Sequence, residues 1–219
     1  MILDMKVQGS KENQLFYEYQ KFTQKKGIQA DPLKKELKTL EKNSRKYEKI
    51  KKQLNEIDDE VTDFKLDYMQ KHFSTFFVKL LNAMEPIVVP ESPLLEDGTV
   101  DSKFQYNYYK KHYWDHFDLK DDRMVRTPIF HGKMEKYLLE YTPQMPDSII
   151  KSLDVLIEKV RESEELFKYI INWSTHHFES SKIMGQDAVF VHLVFTYFIT
   201  RQTPWTVSYT HLRAHETYD

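Results

Sequence analysis

DPLKKELKTLEKNSRKYEKIKKQLNEIDDEVTDFKLDYMQ, residues 31–70, is the stretch that decides the fold class. Within it Leu33, Leu37, Leu40, Ser44, Tyr47, Ile50, Leu54, Ile57, Val61, Phe64 and Tyr68 follow one another in steps of three and four, the period of a helix with one apolar face. Asp31-Pro32 reads as a helix start, the carboxylate capping and the proline sitting where its missing N–H is free of cost. The pattern runs on towards Met84, before Pro86. At 1.5 Å per residue that is a rod of roughly 75–80 Å, so a bend or break is expected within it. Two successive three-residue steps around Tyr47 mark a local irregularity of the seam.

Upstream, Ser10 is a good N-cap, and Leu15, Tyr19 and Phe22 define a first amphipathic helix that Gly27 should stop. Before it, Leu3, Met5 and Val7 alternate with polar residues, which reads as the end of a strand. Downstream, Glu85 to Ser102 holds three prolines and Asp97-Gly98 and reads as a loop. A helix over Phe104 to Phe117 and others opening at Pro128, Asp147 and near Ser163 are expected next. The run Ala188 to Ile199 is apolar on nearly all sides and is expected as the buried centre of a helical domain, with Val189 to Phe198 enclosed. The fold class is all-α, a long-helix arm followed by a compact multi-helix domain.

Composition bounds function. The 219 residues hold 32 basic and 34 acidic side chains, a formal net charge of -2, so no global attraction to nucleic acid or anionic lipid is available. No window reaches the ~18 uncharged apolar residues that a membrane span requires. The absence of cysteine removes disulfides, thiolate nucleophiles, zinc–thiolate sites and iron–sulfur clusters together. Residues 31–55 hold nine basic and four acidic side chains and 56–67 one basic and six acidic, a polarity that can orient a partner or serve solubility alone.

Several side chains are candidates for chemistry. His112 and His116 stand four apart with Asp115 between them, the spacing at which two imidazoles on one helical face can grip a metal. Two ligands do not make a site, the following glutamate of a zinc protease is missing, and with Tyr113, Trp114 and Phe117 around them the pair reads better as the edge of an aromatic cluster. His176-His177 after Trp173 could supply a base near neutrality, but no nucleophile or orienting carboxylate is named by the spacing. His192, in the most apolar run, reads as a satisfied core histidine. The acidic group Glu56, Asp58, Asp59, Glu60 and Asp63 lacks the glycine of a calcium loop and reads as a solvated helix face.

Tyr113-Trp114-Asp115-His116-Phe117, with Arg126-Thr127-Pro128, Tyr141, Phe167 to Trp173, His176-His177, Met184-Gly185, Asp187 and Tyr197-Phe198, resembles the helical domain of unknown function that precedes the thioredoxin-like domain in envelope redox proteins of gut anaerobes. The resemblance covers roughly Leu80 to Trp205. In that family a lipoprotein-type signal and a small β-rich domain come first, and a TlpA-like thioredoxin domain with its Cys-x-x-Cys pair comes last. It implies a non-catalytic helical module of a thiol–disulfide oxidoreductase in the cell envelope or periplasm. Its partners would be the thioredoxin-like domain that follows it and protein substrates; no cofactor is implied. The alternative is a stand-alone interaction or dimerisation domain acting through the long helix. Trp114, Trp173, His176 and His177 are the candidate interaction surface.

The last stretch, Val207 to Thr217, is similar to the translation of a widely used transposon sequencing adapter, so residues 207–219 are expected to be a non-native tail. The expected organisation is therefore 1–9 as the remnant of an upstream β-rich domain, 10–84 as the arm, 85–206 as the compact domain, and 207–219 as the tail.

Overall fold

A computed structural model describes residues 8–42 and 44–206; the Leu3–Val7 strand and the tail from Val207 lie outside the described residues. Among the described residues the chain is all-α, with no strand and a single isolated bridge between Leu94 and Val100. It divides between Ala83 and Met84 into two units.

The first unit is built from α1 (Lys11–Thr39), α2 (Arg45–Lys71) and α3 (Phe76–Ala83). Ser10 caps α1, its hydroxyl accepting from the Asn13 N–H. Gly27 does not stop this helix, and Asp31-Pro32 does not start a new one: both lie inside α1. The inner stripe Leu15, Tyr19, Phe22, Ala30, Leu33 and Leu37 crosses both positions without interruption, and packing overrides local propensity. Gly27, Ile28 and Pro32 lie on the exposed side, where water can satisfy the carbonyl that the proline leaves without a donor.

The run is broken in two places, as a rod of that length was expected to be, between α1 and α2 and between α2 and α3. The first break is at Leu40, which turns to extended backbone, and α2 restarts under Ser44, whose side chain accepts from the Tyr47 N–H at 3.2 Å. Ser44 is thus a cap and not a member of the seam. The two helices close over Ala30, Ile50 and Leu54 near the turn. Leu15, Tyr68, Phe77 and Leu81 make a second cluster at the other end, where α3 joins them. The Glu12 carboxylate from α1 accepts from the N–H groups of Phe76 and Phe77, both at 3.0 Å, and so caps α3 across the unit. The Tyr68 hydroxyl donates to the Leu15 carbonyl at 2.7 Å.

The second unit opens with a turn over Leu95–Thr99, where Gly98 takes the left-handed φ of +78° and Asp97 accepts from the Thr99 N–H. Then come α4 (Phe104–His112), a 3-10 turn (Asp122–Arg126), and α5 (Pro128–Glu135), which widens into a π turn (Lys136–Glu140). After these follow α6 (Pro146–Lys159), α7 (Glu164–Glu179) and α8 (Asp187–Leu193), the last also widening into a π turn (Val194–Phe198). One helix-start residue makes a further contact. Ser163 caps α7 by accepting from the Leu166 N–H, and donates to Asp122 Oδ1, tying the 3-10 turn to the α7 N-terminus.

The centre of this unit is the α6–α7 interface: Ile149, Leu153, Leu156, Ile157, Leu166, Ile170 and Ile171 have no exposure. The last run is not enclosed on all sides as expected. Val189, Leu193 and Tyr197 are buried, whereas Val191, Phe195 and Ile199 are 45%, 63% and 59% exposed. Four-residue spacing through α8 and its wide turn puts each trio on its own face, and α6 and α7 cover only one. The helix expected over Phe104 to Phe117 ends early, at His112, and continues as turns.

Candidate functional site

The turn after α4 drives an aromatic cluster into the second unit. Trp114 is 4% exposed, so it belongs to the core and not to an interaction surface; its ring meets Phe117, Phe130 and Tyr137 at 5.6–6.2 Å. Tyr113 packs against Tyr109, Tyr137 and Tyr141 at 5.3–5.7 Å and donates its hydroxyl to the Lys133 carbonyl. Burial, with smaller contributions from neighbouring acidic groups, pushes the Tyr113 phenol far above its ordinary range. The Lys133 ammonium lies 4.6 Å over the Tyr113 ring, and burial holds its pKa below the usual lysine value.

Beside Trp114 a cleft of about 290 Å³ opens between α4 and α6. Asn107, Lys110 and Lys111 come from α4, Val155 and Lys159 from α6, and the Tyr137 and Trp114 rings complete the lining. Lys110 donates to Ser152 Oγ at 2.9 Å, and its ammonium is 5.7 Å over the Tyr137 ring. Burial and the charge of Lys151 lower its pKa. The Trp114 Nε1–H is buried without an acceptor.

A second constellation joins α5 to α7. Tyr169 Oη is 2.9 Å from His131 Nδ1, and His131 Nε2 is 3.3 Å from Glu135 Oε1. With the phenol donating to Nδ1, the imidazole proton sits on Nε2 and faces the carboxylate. Burial, aided by the Glu135 charge, raises the Tyr169 pKa, so this hydroxyl is held as a proton donor and not as a phenolate nucleophile. Next to it the half-buried Trp173 stacks on His177, centroids 4.8 Å apart and planes within 13°, and meets His131 edge-on at 6.2 Å. His177 has its pKa lowered by burial, with Glu135 opposing and His176 reinforcing; His176 itself is exposed. Trp173 and His177 are therefore brought together, with His176 on an adjacent, solvent-facing side.

His112 is the last residue of α4 and pairs through Nδ1 with Asp115, while His116 is exposed in the following turn. They do not stand on successive turns of one helix, the premise on which they were paired. Among the described residues no three of His, Asp or Glu are grouped to hold a metal ion. His192 donates to or accepts from Asp154 at 2.8 Å, and Tyr197 donates to the same oxygen at 3.2 Å, so this histidine is partnered.

The family described as Domain of unknown function (DUF5106) matches residues 39–218. The chain belongs to that family. The DUF5106 match takes in part of the first unit, the whole described second unit and the stretch from Val207. No curated protein and no solved structure matches the chain. No helix among the described residues is long and apolar enough to cross a membrane.

Proposed function

We propose that this chain is the non-catalytic helical module of a thiol–disulfide oxidoreductase of the cell envelope, holding a following thioredoxin-like domain, or its protein substrate, in position. One observation carries the reading: five of the aromatic residues behind the resemblance are packing residues. Tyr113, Trp114, Phe117, Phe167 and Tyr197 are 3–7% exposed, so they specify a scaffold and not a reaction centre. Thiol exchange needs sulfur, and the 219 residues contain no cysteine. The complete reading frame of the parent gene tests this. A Cys-x-x-Cys pair within about a hundred residues past Trp205, the span of one domain, is expected; a stop codon there, with no thioredoxin-like sequence, overturns it.

A second reading, a self-standing interaction domain, is favoured by the exposed trio Val191, Phe195 and Ile199. It would act through that face and not through the long-helix seam, which α1 already covers. Concentration-dependent association in sedimentation, abolished by Phe195→Lys, is its signature; a monomer at all concentrations removes it.

A further inference from the structure

The cleft between α4 and α6 sets three lysines at the rim of a mainly apolar wall. Lys110, Lys111 and Lys159 bring three ammonium groups to it, and none of them forms an ion pair with a carboxylate among the described residues. The remaining walls are flat or apolar, namely Tyr137, Trp114 and Val155.

Trp114 adds an independent observation. It is 4% exposed, and its indole N–H has no acceptor although the ring lines the cleft. Buried donors are almost always satisfied, and one left without a partner is costly. Lys110 points the same way: it is held over the Tyr137 ring by Ser152, where burial and Lys151 disfavour its charge. A carboxylate in the cleft would offset the cost of the Lys110 charge. At about 290 Å³ the space is at the small end of ligand pockets and admits one ring with its substituent.

We propose that this cleft is a binding site for a small organic anion, a carboxylate carried on a flat apolar body, with the carboxylate among the lysines and the ring against Tyr137 and Trp114. The proposal does not depend on the module reading.

The test follows the indole N–H resonances of the full-length chain by nitrogen–proton correlation spectroscopy during titration with benzoate at low salt. The chain has three tryptophans, so Trp114→Phe assigns the signal. Benzoate should move the Trp114 resonance saturably and leave those of Trp173 and Trp205 in place. Benzylamine, the same ring with the opposite charge, should not move it, and inorganic phosphate should bind more weakly than benzoate. Lys111→Gln with Lys159→Gln, both exposed positions, should weaken benzoate binding about tenfold, the loss of about 1.4 kcal/mol, with the helical circular dichroism unchanged. No saturable shift with benzoate, an equal response to benzylamine, or affinity unchanged in the double variant each overturns the proposal. Phosphate binding as tightly as benzoate would overturn the role given to the aromatic wall.

Discussion

Leu193 and Phe195 stand two residues apart in the last helical run and face opposite ways, Leu193 with no exposure and Phe195 63% exposed. A carboxylate at the first must be buried without a partner, which costs several kcal/mol; at the second it meets water. Leu193→Asp is therefore expected to unfold the second unit, and Phe195→Asp to change its stability by no more than the roughly 0.5 kcal/mol typical of surface changes. Equal destabilisation by the two would show that Phe195 is enclosed. A pH effect belongs to His177. Burial is the largest cause lowering its pKa from 6.5 in the folded chain, so the unfolded chain binds the proton more readily. Its contribution to stability is present above that value and is lost as pH falls below it. His177→Gln should accordingly show a smaller drop in thermal midpoint than the parent between about pH 7.5 and about pH 5.5. An identical drop would mean that the imidazole titrates freely. Sequence gave partial sight of these sites. Trp173 and His177 stand four apart on one helix, and their association is legible from that spacing. The partners Tyr169 and His131 are 38 positions apart, and only the packing of α5 on α7 brings them together. His131 with Glu135, four residues on, was the available signal for that pair.

At the scale of elements, capping decided most boundaries. Ser10, Ser44 and Ser163 each accept from the N–H three residues on, and Pro128 and Pro146 occupy first turns. The helix starts near Pro128, Asp147 and Ser163 were readable for that reason. The reading failed where local propensity opposed a continuous apolar stripe, at Gly27 and Pro32, because the stripe is what α2 covers. Gly27 is exposed and helical, and a Cβ built there meets nothing within 4 Å. Gly27→Ala is expected to stabilise the first unit by about 0.5–1 kcal/mol, read as a higher denaturation midpoint; a loss of stability would mean that α1 bends at this residue. Glu12 shows the limit of local rules from another side, since it caps a helix 64 residues away. Glu12→Ala leaves the Phe76 and Phe77 N–H groups without their acceptor and should cost about 1–2 kcal/mol, with faster hydrogen exchange in α3. Unchanged protection there would contradict the cap.

Over the whole molecule, each unit has a core of its own. The first closes over Ala30, Ile50 and Leu54 at one end and Leu15, Tyr68, Phe77 and Leu81 at the other. The second closes over the α6–α7 interface, with Leu153 fully buried. The helical class of both was written in the three-and-four spacing of apolar residues and the scarcity of glycine. What spacing could not give was the burial of the last run, since a helix apolar all round reads as enclosed until its neighbours are placed. A scaffold made of separately cored helical units, with no thiol of its own, is the central claim, and it follows that damage to one core should stay within its unit. Hydrogen exchange followed by mass spectrometry on the full-length Leu153→Asp variant tests it most directly. The account predicts that amides from Phe104 to Phe198 lose protection while those of α1, α2 and α3 keep the values of the parent chain; simultaneous loss in both units would contradict it.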